Sequence, residues 1–237
     1  MIIEVLFPEI CNLYGDLFNA EFIGRSLPDG EIINTSLKSA PLFLERKPDM
    51  IYMGCMTERG QEIVLEKIRP YKDRIAELID DGALFFLTGN ACELFGTHIE
   101  LENGDRIECL GLFPVYAKRR MMKRYNSLYI GKFRDMDIVG FKNQFTHSYG
   151  DNSGYYFIET TRGAGLNPDV KYEGIRKNNL FCTYLDGPVL PLNPPLAKYL
   201  MKLMGVAEPR LVFEEACFDA YNTRVMEFSD PDRPFMN

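Results

Sequence analysis

Short apolar runs alternating with amphipathic stretches organise the amino-terminal part of the chain. Ile2-Ile3-Glu4-Val5-Leu6-Phe7 reads as a core strand stopped by Pro8. Leu13-Tyr14-Gly15-Asp16 leads into an amphipathic helix that ends near Pro28-Asp29-Gly30. Glu31 to Ser36 reads as a second strand, a loop with Pro41 and Pro48 follows, and Met50-Ile51-Tyr52-Met53 is a third. After the turn Gly54-Cys55-Met56-Thr57, helical periodicity from Glu58 to Asp81 is broken into two pieces by Pro70. Leu84 to Leu87 is a fully apolar run fit for a strand buried on both faces. Strands alternating with helices predict an α/β fold: a mostly parallel sheet covered on both faces, with ligands beyond the carboxyl ends of its strands.

Beyond Gly96 the pattern changes. His98 to Leu101 and Arg106 to Cys109 flank Asn103-Gly104, a hairpin signal because Asn-Gly accepts the positive φ of a type I′ turn. Leu128 to Phe133, Ile138 to Phe141, Tyr155 to Glu159 and Leu180 to Tyr184 read as further strands, and Leu196 to Met204 as a short helix closed by Gly205. Residues 1–205 form the expected domain, and 206–237, with a helix-like run from Leu211 to Phe228, an arm packed on that domain or docking a partner.

A chain of 237 residues with 46% apolar content can bury a substantial core. No apolar run approaches the length of a membrane span, and the start Met1-Ile2-Ile3-Glu4 lacks a signal peptide's basic lead, so a cytoplasmic protein is expected. A net charge of −7 argues against nucleic-acid binding. Lys118-Arg119-Arg120 with Lys123-Arg124 is a dense basic run, read as a solvated loop unless it meets a phosphate-bearing substrate or an acidic partner. Cys11, Cys55, Cys92, Cys109, Cys182 and Cys217 include no CxxC pair, so neither a metal site nor a disulfide framework is suggested. No cofactor motif is present, and without GxxxxGK[ST] an ATP-driven ligation has no evident home.

The stretch richest in chemistry is Leu87-Thr88-Gly89-Asn90-Ala91-Cys92-Glu93-Leu94-Phe95-Gly96. A buried strand, a turn of small residues and a helix start have the shape of a nucleophile elbow, which lifts one side chain above the sheet edge. The residue at the tip has no side chain.

Several motifs then fall in a recognisable order: Pro8-Glu9 with Tyr14-Gly15-Asp16, Gly54 with Gln61, the elbow, Leu110-Gly111-Leu112, Gly140-Phe141-Lys142-Asn143, and Thr183-Tyr184-Leu185-Asp186-Gly187-Pro188 running to Pro194. Together they resemble the class I glutamine amidotransferases of the cobyric acid synthase type, and among these the amidotransferase subunits of lipid II isoglutaminyl synthases. The resemblance implies a flavodoxin-like fold with extra antiparallel strands, a glutamine pocket bordered by Gly54, Gln61, Asn143 and Gln144, and a Mur-ligase-like partner that activates the acceptor in cell-wall precursor modification.

It also implies a cysteine nucleophile and a histidine base, and both are replaced. Family alignment puts the cysteine on Gly89 and the histidine on Asp186. The glycine run that lets backbone N–H groups approach an oxyanion is Gly54-Cys55-Met56 here, and Gln144 stands where relatives often have histidine. Two surrogate thiols remain. Cys92 lies three positions past the tip, about 300° around a helix and about 4.5 Å along it, which turns its sulfur elsewhere. Cys55 should border the same pocket, as an inert thiol or a nucleophile needing a base. Asp186 is a base toward another nucleophile or a carboxylate filling the histidine's space. His147 reads as a loop histidine, and Glu173 as a structural hydrogen-bonding carboxylate.

These readings give a glutamine amidotransferase-like subunit or regulator without glutaminase activity, its former glutamine pocket open to some other small ligand. The alternatives are an active amidotransferase passing ammonia to a partner ligase, or an enzyme remodelled around Cys55 or Asp186.

Overall fold

The computed structural model describes residues 1–235. Its centre is a parallel sheet built from β1 (Ile2–Leu6), β2 (Glu31–Thr35), β3 (Met50–Met53) and β4 (Phe85–Thr88). Helices α1 (Phe18–Ser26), α2 (Glu58–Ile68) and α3 (Lys72–Asp80) make the crossovers. Pro70 lies in a 3-10 turn between α2 and α3, where its missing N–H ends the first helix. Alternation along the strands sorts side chains to two cores. Ile51, Met53, Phe85 and Leu87 pack against α2 and α3, while Met50, Tyr52, Leu84 and Phe86 face α1 and the carboxy-terminal helices.

The chain then adds antiparallel structure: β5 (His98–Glu100), β6 (Arg106–Glu108), β7 (Tyr116–Arg119), β8 (Tyr125–Phe133), β9 (Met136–Gln144), β10 (Thr146–Tyr149), β11 (Ile158–Arg162) and β12 (Tyr172–Glu173). Among the described residues these make two four-stranded sheets, ordered β10-β7-β5-β6 and β12-β11-β8-β9. The hairpin expected at Asn103-Gly104 is present as β5–β6, but only Gly104 has a positive φ, at +88°, so its turn is not of type I′. The chain returns through β13 (Ile175–Lys177) and β14 (Leu180–Thr183), which complete the central order β13-β14-β4-β3-β1-β2, with only β13 antiparallel to its neighbour.

The short helix α4 (Val189–Leu192) and α5 (Pro194–Leu203) cover the second core. Helix α6 (Glu214–Ser229) places Tyr221 and Phe228 against Ile130 and Val139, and the Arg162 guanidinium donates to the carbonyls of Phe228, Asp230 and Arg233 to hold the tail. The arm expected from 206 onward thus lies on the antiparallel sheet as far as Phe235; residues 236 and 237 lie outside the described residues.

Two further expectations need correction. The strand expected at Tyr155 to Glu159 begins at Ile158, because Tyr155 N donates to Asn152 O in a turn. The basic run is not one solvated loop: Lys118 and Arg119 are in β7, and Arg119 is buried, bonded to Gln61 and Glu62. Lys118 and Arg120 both reach Glu100, which leaves Lys123 and Arg124 exposed beside Met122.

Candidate functional site: a filled elbow

At the carboxyl end of β4 the backbone turns through Gly89 at φ +58° into a 3-10 helix that runs to Phe95. A left-handed residue between strand and helix is the elbow geometry, and glycine adopts it without strain. Above it lies a cavity of about 210 Å³, bordered by Tyr14, Cys55, Asn90, Asn143, Gln144 and Asp186 among others. Asn143 and Gln144 line it. Gly54 and Gln61 do not.

The space above Gly89 is occupied. A Cβ built on Gly89 would stand 2.6 Å from both Cβ and Sγ of Cys55, closer than real side chains approach. The Cys55 sulfur therefore sits where a side chain at the tip would be.

Its loop is closed from below. Cys55 N donates to Asp16 Oδ2 at 2.7 Å, and Met56 N donates to Asn90 Oδ1 at 3.0 Å, while Asn90 Nδ2 donates back to Met56 O at 2.8 Å. Both amide groups of this loop, at Cys55 and Met56, are thus spent inside the protein. Asp16 is itself fixed by Thr88 Oγ1 and Asn19 Nδ2. Gly54 is required at the base of this loop, since a Cβ there would lie 2.6 Å from Cys11 O. Gln61 stands behind it, donating to Asn90 O and Glu93 and accepting from Arg119.

The electrostatics favour protonated groups. Burial, then Asp186 and Asp16, push the Cys55 thiol well above the ordinary thiol range. Asp186, only 2% exposed, accepts from Asn143 N at 2.6 Å, yet burial raises its carboxyl to about 8. Burial also raises Glu93 to about 7, against the hydrogen bonds from Gln61 and Tyr184, and Asp16 to about 6. A thiolate is favoured by a neighbouring positive charge, and the carboxyls of Asp186 and Asp16 act on Cys55 in the opposite sense, raising its thiol.

The remaining candidates lie elsewhere. Cys92 is directed into the sheet, its sulfur 3.4 Å from Thr183 O and 3.7 Å from Leu87 O. His147 lies behind Gln144, whose Nε2 donates to its Nδ1 at 3.1 Å, and burial lowers the imidazole to about 4. His98 stacks on Tyr116, with ring centroids 5.0 Å apart. Glu173 is fully buried, pairs with Lys142 at 2.8 Å, and accepts from Thr183 Oγ1 and Tyr184 N, so it anchors the segment that carries Asp186. Among the described residues no group of three or more His, Cys, Asp and Glu is placed to hold a metal ion.

Asn90, Glu93 and Asp16 fall within motifs read from the sequence, which assigns none of them a role in the site. A signal existed for the first two: the elbow of the resembled family has glycine at position 90 and glutamine at position 93.

The chain has the flavodoxin-like α/β fold of solved class I glutamine amidotransferases. A solved glutamine amidotransferase superposes with a TM-score of 0.56 at 14% identity, covering 87% of this chain and all of that one. By sequence the chain is close to GatD, the subunit of glutamine-hydrolysing lipid II isoglutaminyl synthase. It is 28% identical to the Staphylococcus aureus protein over 65% of this chain and 63% of that one, and 25% identical to the Streptococcus pneumoniae protein over 83% and 77%. The match to the staphylococcal relative thus spans less than two thirds of that relative's length. No family model matches the chain.

Proposed function

We propose that this protein is a glutamine amidotransferase-like subunit of a complex that amidates a cell-wall precursor, working beside a Mur-ligase-like partner, and that it does not itself hydrolyse glutamine. The relatives named as lipid II isoglutaminyl synthase subunits support the assembly and its pathway. The observation that carries the silent site is the Cys55 sulfur seated over Gly89, 2.6 Å from where a Cβ would stand. A nucleophile at the tip would have to displace it. The amide groups of Cys55 and Met56, engaged by Asp16 and Asn90, offer no oxyanion hole. In this reading the partner takes free ammonia, and this chain contributes a docking surface or a regulator.

The test is to incubate the protein, with and without its Mur-ligase-like partner, with glutamine and with an electrophilic glutamine analogue. No glutamate release and no labelled cysteine are expected. Glutamate production that disappears in Cys55→Ala would overturn the proposal.

One observation favours a second reading, in which Cys55 is a relocated nucleophile with Asp186 as base: its sulfur occupies the nucleophile's seat, and both residues line the cavity. The raised pKa of the Cys55 thiol opposes it. Labelling of Cys55 alone, abolished in Asp186→Asn, would establish it.

A further inference from the structure

Away from the elbow, the turn of the β8–β9 hairpin and the β13 edge frame a second cleft, of about 470 Å³, that shares no lining residue with the first. Lys132, Arg134 and Arg176 line it, and Glu159 is its carboxylate. Arg134 occupies the hairpin turn at φ +56° and lays its guanidinium over Phe133, 5.7 Å from the ring centre, and over Tyr199 at 4.9 Å. Arg176 comes from β13 and lies 5.5 Å from the same Phe133 ring and 5.7 Å from Phe181. One ring therefore gathers two guanidinium groups.

Neither guanidinium has a hydrogen-bond acceptor or a carboxylate partner among the described residues, and Arg176 Nε is buried without any partner. Arg74, Arg119, Arg120 and Arg162, by contrast, donate to carboxylates or carbonyls; Arg124 also lies over a ring, that of Phe145, but without a second guanidinium beside it. Stacking on an aromatic face holds a guanidinium in place while leaving its in-plane donors free. Two like charges on one ring repel each other until an anion bridges them, and fork-shaped donors match phosphoryl oxygens. Lys132 adds a third cation at the rim, partly neutralised by Asp137 at 2.7 Å. Tyr156, stacked on Tyr172 with centroids 4.3 Å apart, supplies an aromatic wall.

We propose that this cleft binds a phosphate-type oxyanion, a phosphoryl or pyrophosphoryl group, between Arg134 and Arg176. The site is independent of the reading of the elbow.

Calorimetric titration of the full chain with inorganic pyrophosphate, and separately with a nucleoside diphosphate, tests it. One-to-one binding is expected, weakened about tenfold by Arg134→Gln and again by Arg176→Gln, as loss of a charge-assisted contact predicts. Added salt should weaken it further. A nucleoside diphosphate that binds more tightly than pyrophosphate, with the gain lost in Tyr156→Ala, assigns the ring wall to the carrier; equal affinities assign the phosphoryl group alone. Arg134 lies in an exposed turn, so its variant remains informative if Arg176→Gln fails to fold. Absence of binding by both compounds at millimolar concentration, or binding undiminished in folded Arg134→Gln, would overturn the proposal.

Discussion

The two clefts show opposite ways of treating polar groups. Over the elbow, loop amide groups, carboxyls and side-chain amides are largely bonded to one another: Asn90 closes on Met56, Asp16 on Cys55, and Asp186 on Asn143. Beside β13, two guanidinium groups rest on aromatic rings with no protein acceptor. An active site keeps donors unspent for the charge that develops in its transition state, which leaves the resting protein with unmet hydrogen bonds. By that criterion the elbow loops are largely spent, with Asn143 Oδ1 and Gln144 Oε1 left as buried acceptors without a partner, while the basic cleft keeps its guanidinium donors free.

If the elbow region is stabilised by internal pairing, breaking one deep pair there should be expensive. Glu173→Gln leaves the Lys142 ammonium, fully buried beside Glu173, without its counter-ion. We expect a loss of about 3–5 kcal/mol in chemical denaturation. Lys142→Met combined with Glu173→Gln should recover much of it, since no charge is then left uncompensated. Additive losses in the double variant would refute the coupling.

Protons offer a second probe. Asp186 titrates at about 8 when folded and Asp near 3.8 otherwise, so the folded state holds the proton more tightly and stability is lost as pH rises from about 4 to about 8. The slope reaches about 1.4 kcal/mol per pH unit for such a group. Glu93 and Asp16, raised to about 7 and about 6, contribute with the same sign at lower pH. Above pH 7 Asp186 is the last of the three still titrating. Asp186→Asn should therefore be the more stable protein at pH 8, with its advantage shrinking toward pH 5, where parallel curves would contradict the assignment.

Restoring the missing side chain gives a smaller effect with a specific rescue. Gly89→Cys drives a Cβ into Cys55 at a left-handed position, which should cost about 1–3 kcal/mol. Adding Cys55→Gly should return most of that cost. A single variant as stable as the parent would mean that the sulfur is not wedged in the elbow.

How much of this was legible follows from the range of the interactions. The strands and helices up to Gly96, and the hairpin just after it, are announced by local signals: apolar runs the length of a strand, Pro70 between two helices, Asn103-Gly104 in the hairpin. The short strands β7, β10, β12 and β13 carry no such signal, because Tyr116–Arg119 and Tyr172–Glu173 are largely polar and take their strand form from neighbours. The site divides in the same way. The bare tip at Gly89 and the substituted Asp186 can be read from motif positions. That Cys55 fills the tip, or that Asn90 consumes the Met56 amide 34 residues away, depends on how two loops meet. Of the two arginines of the second cleft, one lies in the β8–β9 turn and the other on β13, and they are brought together at the Phe133 ring.

The smallest expected effect tests the comparison from the other side. Arg176→Met removes a guanidinium that satisfies no acceptor and keeps a side chain able to lie between Phe133 and Phe181. The loss should be limited to cation–π attraction, about 1 kcal/mol or less, and offset by relief of the buried, unpartnered Nε and of repulsion from Arg134. Denaturation without added anion should place this variant within about 1 kcal/mol of the parent, far from the Glu173 variant. With pyrophosphate present the parent should gain stability and the variant should not, because a ligand stabilises only the state that binds it. A loss of several kcal/mol without ligand would make Arg176 a structural residue whose partner lies within the protein, and the contrast between the two clefts would fail there.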